Sequence, residues 1–108
     1  MNKGDLVYIY LFDIKKTIVN MKSFREDRFG VIIDQSIKEV QNTNGKEFEV
    51  IYKVKNCNDK IMEYHSNNLS YSIVTIPELI NIVDELKINK DEKRALLDQI
   101  NKAIDKFK

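Results

Sequence analysis

The sequence predicts an α+β domain in which short antiparallel strands build a small barrel or sandwich and a helical hairpin follows. Three observations predict it. Up to Thr75, apolar residues come in short β-branched and aromatic runs parted by polar turns, at the spacing of about 8–12 residues typical of small all-β units. After Thr75 the apolar period lengthens to that of a helix. The first strand, finally, is apolar on both of its faces, so it needs a cover on each.

The first run is Asp5 to Phe12, and a weaker second run is Thr17 to Met21. The third, Phe29 to Ile33, extends through Ile37 to Val40 beyond a bend. Asn44-Gly45 then supplies the positive φ angles that a tight hairpin turn requires. The fourth run, Glu47 to Lys55, alternates: Phe48, Val50, Tyr52 and Val54 share one face, and Glu47, Glu49, Lys53 and Lys55 share the other. Asn56 to Asp59 reads as a turn, Ile61 to His65 as a fifth run, and Tyr71 to Val74 as a short last strand.

Thr75-Ile76-Pro77-Glu78 has the form of a capping box, in which the threonine oxygen accepts from the Glu78 amide. Proline is harmless in that first turn, because the donor it lacks has no partner there anyway. Leu79, Ile80, Val83 and Leu86 form one apolar stripe. Asn89 to Glu92 is a second start signal, and Leu96, Leu97, Ile100, Ile104 and Phe107 form the second stripe. A link this short predicts an antiparallel pair of helices.

Strand one carries Leu6, Tyr8, Tyr10 and Phe12 on one face and Val7, Ile9 and Leu11 on the other. A strand in a small open sheet has one wet face. The helical hairpin has the apolar stripes to cover the second one, so residues 76–108 are expected to pack on the strands of residues 1–75 as part of a single domain.

The order Lys3-Gly4-Asp5-Leu6-Val7-Tyr8, Phe29-Gly30-Val31-Ile32, Phe48-Glu49-Val50-Ile51-Tyr52 and Asn67-Asn68-Leu69 resembles SH3-like barrels. The KOW and Tudor-like groups of that class share this layout. In them a Gly-Asp pair opens the first strand, a Gly-Val pair marks a kinked second strand, and a late Leu sits in a turn before the last strand. The resemblance covers residues 3–74. It implies an SH3-like barrel of about five strands and a non-catalytic module that binds nucleic acid, peptide or protein. Fold alone does not choose among these.

Composition narrows the classes. The chain has 108 residues, enough for one domain with a substantial core. Its 18 Lys+Arg against 17 Asp+Glu leave a formal charge of +1, which argues against a strongly basic nucleic-acid binder. Lys (15), Ile (15) and Asn (11) dominate while Arg (3) and Ala (2) are scarce, a bias of AT-rich coding that weakens any reading of lysines as selected ligands. One cysteine makes no internal disulfide, and no apolar run has signal-peptide or membrane-spanning form, so a cytoplasmic location and no membrane partner are expected.

The chemistry inventory is short. Glycines at 4, 30 and 45 build no phosphate cradle, and Cys57 with His65 falls short of a zinc ligand set, so neither cofactor nor metal is expected. His65 reads as a turn histidine, Cys57 as an incidental thiol, and Asp5 as a residue that shapes the first turn. No constellation supports an enzyme.

Two candidate surfaces follow. Residues 15–28 hold five cations against two acids, with Lys15, Lys16, Lys22, Phe24, Arg25 and Arg28 as the candidate binding residues. Such a loop suits phosphates and a stacked base, or presents arginine anchors and an aromatic to a protein. If Leu79, Val83, Ile100, Ile104 and Phe107 cover the barrel, then Ile80, Ile88 and Leu97 are left over as a dimer or partner interface. The expected function is a small non-catalytic protein that docks on a protein partner or forms a homodimer. A phage or mobile-element product that modulates a host factor fits that expectation. The alternative is an RNA- or DNA-binding accessory protein that uses the basic loop.

Overall fold

A computed structural model describes residues 1–11, 18, 23–43, 45–68 and 70–108. The elements run β1 (Leu6–Leu11), a 3₁₀ turn (Glu26–Arg28), β2 (Phe29–Asn42), β3 (Gly45–Asn56), β4 (Ile61–His65), β5 (Tyr71–Thr75), α1 (Ile76–Glu85) and α2 (Lys90–Asp105). The five strands form one antiparallel sheet in the order β4-β3-β2-β1-β5. No ladder joins β4 to β5 among the described residues, so the sheet is not closed. The expected strand at residues 17–21 lies outside the described residues except for Ile18, which is buried.

Each face of β1 belongs to a different core. Val7 and Ile9 pack with Ile32, Val54 and Tyr64 on the inner face of the sheet. Tyr8 packs with Phe24, Phe29 and Val74 on the outer face, beneath Leu79, Val83, Leu86, Leu96, Ile100 and Ala103 of the helical hairpin. Three consecutive residues of β1 are therefore almost fully buried, Val7 at 0%, Tyr8 at 6% and Ile9 at 2% exposure.

The helix start signals operate as their chemistry dictates. The Thr75 hydroxyl accepts from the Glu78 amide at 3.4 Å and donates to the Glu78 carboxylate at 2.9 Å. Asn89 Oδ1 accepts from the Glu92 amide at 2.8 Å. Lys93 Nζ donates to the Asp84 carbonyl at 2.6 Å, which satisfies a terminal acceptor of α1 from the first turn of α2.

β2 is longer than any single run in the sequence. The bend between its two halves is a β-bulge, where the register against β3 slips between Ile32 and Asp34. Before the bulge, Gly30 lets the strands approach: a Cβ there would lie 2.4 Å from Val54 Cγ1 and 2.9 Å from the Lys55 carbonyl. After it, β4 still flanks β3 as far as the Ile51–His65 pair, and from the Ile37–Val50 pair onward β2 and β3 continue as a two-stranded arm up to the pair Asn42–Gly45. Fourteen residues at about 3.3 Å each span roughly 46 Å, close to the 49 Å long dimension of the molecule.

Leu79→Ala, which empties a fully buried site between helices and sheet, should lower unfolding free energy by about 2–5 kcal/mol in chemical denaturation. Gly30→Ala must push β3 away from β2 and should cost about 1–3 kcal/mol by the same measurement.

Candidate binding surface

The basic loop is fastened to the fold at its C-terminal end. Lys15, Lys16 and Lys22 lie outside the described residues. Phe24 does not face solvent, contrary to its expected place in a ligand-contacting set. Its ring is buried, edge-on to Tyr8 at 5.3 Å and to Phe29 at 5.8 Å, and its amide donates to Gln99 Oε1 of α2 at 2.8 Å. The large apolar ring gains more from the core than from water. Arg25 is exposed and pairs with Asp27 at 3.2 Å, while its amide donates to the Tyr8 hydroxyl at 3.3 Å. Glu26 in turn receives Lys106 at 2.6 Å. Arg25 and Lys106 are thus matched by acids.

Arg28 is half-buried and borders a cleft of about 180 Å³, with Ile9, Val54, Met62 and Tyr64 forming apolar walls and Lys60 at the rim. Burial raises the Tyr64 phenol above the ordinary value of 10.0, and the positive Arg28 beside it opposes that rise. The cleft is also lined by Asp27 and Asn56, so its two cations share it with a carboxylate. It holds no nucleophile with an adjacent base, and no group of three or more His, Cys, Asp or Glu occurs among the described residues.

The residues proposed as surplus on the helices are engaged by the chain itself. Ile80, Ile88 and Leu97 are half-buried and pack against the core between helices and sheet. The other singled-out residues also have local roles. Asp5 accepts from the Asn2 amide at 2.8 Å, which closes the turn into β1. His65 Nδ1 lies 3.0 Å from Glu49 Oε1 across the strands. Cys57 is a half-buried thiol whose Sγ lies 3.9 Å from the Glu26 carbonyl.

The surface that sequence reasoning missed is on the arm. Cross-strand pairing sets Ile37 opposite Val50, Glu39 opposite Phe48 and Gln35 opposite Tyr52. Side chains of directly opposed residues share a face, so Ile37, Phe48, Val50 and Tyr52 line one side together with Gln35 and Glu39, and Glu39 pairs with Lys46 at 3.4 Å beside Phe48. This side continues the inner face, on which Val54 and Ile32 are buried. Val50 and Tyr52 are half-buried, but farther out on the arm no described residue covers this face: Ile37 is 73% and Phe48 68% exposed. The alternation of residues 47–55 contained the signal for a shared apolar face but not for its exposure. No helix among the described residues is long and apolar enough to cross a membrane.

Arg28→Ala should move the Tyr64 phenol still further above 10.0, because the charge that favours the phenolate is gone. A spectrophotometric titration, read against Arg28→Ala/Tyr64→Phe, checks the shift.

Neither a family model, nor a curated protein, nor a solved structure matches the chain, and its function is read from these surfaces.

Proposed function

We propose that the protein is a small non-catalytic binding module that docks on a protein partner through the apolar face of the β2–β3 arm. One observation carries this reading: Ile37 and Phe48, diagonal neighbours on one face of the arm, are both more than two-thirds exposed. A large aromatic next to a β-branched residue on a projecting strand pair, with the Glu39–Lys46 ion pair beside it, suits a protein surface. The nucleic-acid reading of the basic loop has less support. Phe24 is buried, and Arg25 and Lys106 are paired with acids, which leaves fewer groups for bases and phosphates.

The fold reading that goes with this function is an SH3-like barrel, open along one seam. Its support is the strand order β4-β3-β2-β1-β5, together with contacts between the two edge strands. The rings of Tyr64 and Tyr71 meet edge-on at 5.1 Å, and the Tyr71 hydroxyl accepts from the His65 amide. In this reading the helices cover the outside of the barrel and the arm is an elongated loop between its second and third strands.

Affinity capture with the full chain from nuclease-treated native lysate tests the docking reading. Ile37→Ser/Phe48→Ser should fold with stability within about 0.5 kcal/mol of wild type, because both side chains are exposed. It should also lose the captured protein, whereas Arg25→Ser/Arg28→Ser should retain it. Capture that survives the arm substitutions, or that vanishes with nuclease, refutes docking through the arm.

A further inference from the structure

We propose that the cleft beside Arg28 binds a short aliphatic carboxylate, with Arg28 and Lys60 taking the carboxylate and Ile9, Val54 and Met62 its chain. The inference goes beyond the docking reading of the arm and does not rest on it.

The cleft lies where the 3₁₀ turn meets the turn between β3 and β4, and Asn56 ties the two together. Its Oδ1 accepts from the Asn58 amide at 2.9 Å and from the Lys60 amide at 3.1 Å. Its Nδ2 donates to the Asp27 carbonyl at 3.5 Å. Both rims are thus held in place before any ligand arrives, which lowers the ordering cost of binding.

Charge selects the head of the ligand. Among the described residues neither Arg28 nor Lys60 forms an ion pair. Arg28 is half-buried, and its guanidinium donates to the Tyr64 phenol oxygen. Burial raises that phenol above 10.0, so it stays neutral and leaves the guanidinium charge uncompensated. A planar carboxylate matches the guanidinium fork and restores the hydrogen bonds that burial removes. The one lining carboxylate, Asp27, is held by Arg25 at 3.2 Å. With Arg25 counted, three cations stand against this single acid. The neighbouring Asp59 is matched by Lys55 at 3.3 Å.

Size and polarity select the tail. The cleft measures about 180 Å³. An apolar cavity of about 150 Å³ takes one benzene ring, so a ligand of about six to eight non-hydrogen atoms fits. Ile9 and Val54 form buried wall, and Met62 leaves 42% of its surface open beside them. A bare anion would leave that apolar surface wet, whereas an aliphatic chain covers it. Such a carboxylate is either a free molecule or the end of a polypeptide with an aliphatic last residue.

Amide chemical-shift titration of the full chain with isovalerate should move Arg28, Asn56, Lys60 and Met62 together. Isovaleramide, of the same shape without the charge, and inorganic phosphate, without the chain, should each bind about tenfold or more weakly. Arg28→Gln should weaken isovalerate binding about tenfold or more. Lys60→Gln, at an exposed residue that the fold does not need, should weaken it about threefold, and Asp27→Asn should strengthen it. A peptide ending in leucine that binds more tightly than isovalerate, and loses binding on amidation, assigns the cleft to a chain terminus. Isovalerate binding without peptide binding assigns it to a free carboxylate. The proposal is overturned if isovalerate moves none of these amides, if isovaleramide or phosphate binds as well, or if Lys60→Gln and Asp27→Asn leave binding unchanged. Ile37→Ser/Phe48→Ser should bind isovalerate like wild type, so loss of protein capture in that variant bears on the docking reading alone.

Discussion

The burial of β1 on both faces is the constraint from which the rest of the molecule follows. Val7 and Ile9 point into one core, and Tyr8, between them, points into another. An antiparallel strand ordinarily leaves one face to water, so a second layer is needed wherever both faces are apolar. The helical hairpin is that layer. Its position over β1, β5 and the start of β2 decides which surfaces are used up internally and which remain. Ile80, Ile88 and Leu97 are partly buried in this packing, and the far halves of β2 and β3 are left beyond its reach.

The same outer core organises the basic loop. Tyr8, Phe24 and Phe29 meet pairwise with ring centroids 4.6–5.8 Å apart, and the Tyr8 hydroxyl holds the amide of Arg25. Full burial of one such ring contributes about 1.5–3 kcal/mol. An exposed ion pair such as Arg25–Asp27 contributes about 0–1 kcal/mol. The ring therefore sets where this end of the loop lies, and the ion pairs adjust to it. Lys106 reaching Glu26 from the end of α2 belongs to this second, weaker tier.

How legible each part was depends on whether its cause is local. Thr75 and Asn89 cap their helices through residues three positions away, so their role can be read without tertiary structure. The bend inside β2 was visible as a break in pattern, and its cause is the slipped register between Ile32 and Asp34. The double-sided β1 was legible because two apolar faces admit few arrangements. Phe24 was misread because its neighbours in sequence are cationic, whereas its neighbours in space are Tyr8, Phe29 and Gln99. Phe48 was assigned to the correct face, but a period of two reports a face and says nothing of what lies above it. Exposure is a property of the neighbouring layer, and here that layer ends before the arm begins.

A two-stranded ribbon is marginal on its own, so the arm depends on how its base is held. There the Gly30 approach to Val54, the bulge after Ile32 and the Ser66 clamp on Val50 fix both strands before they leave the sheet. Past that base, the apolar side chains of Ile37 and Phe48 add little to either core, and their removal costs the fold little. An aromatic that contributes little to stability yet sits in water beside a β-branched neighbour carries a standing aggregation risk. The charged residues of the opposite face, Lys38, Glu47 and Glu49, and the Glu39–Lys46 pair beside Phe48 limit that risk without covering the ring. Stability is thus concentrated around β1 and recognition in the proposed function around Phe48, at opposite ends of the same sheet, so each can change without disturbing the other.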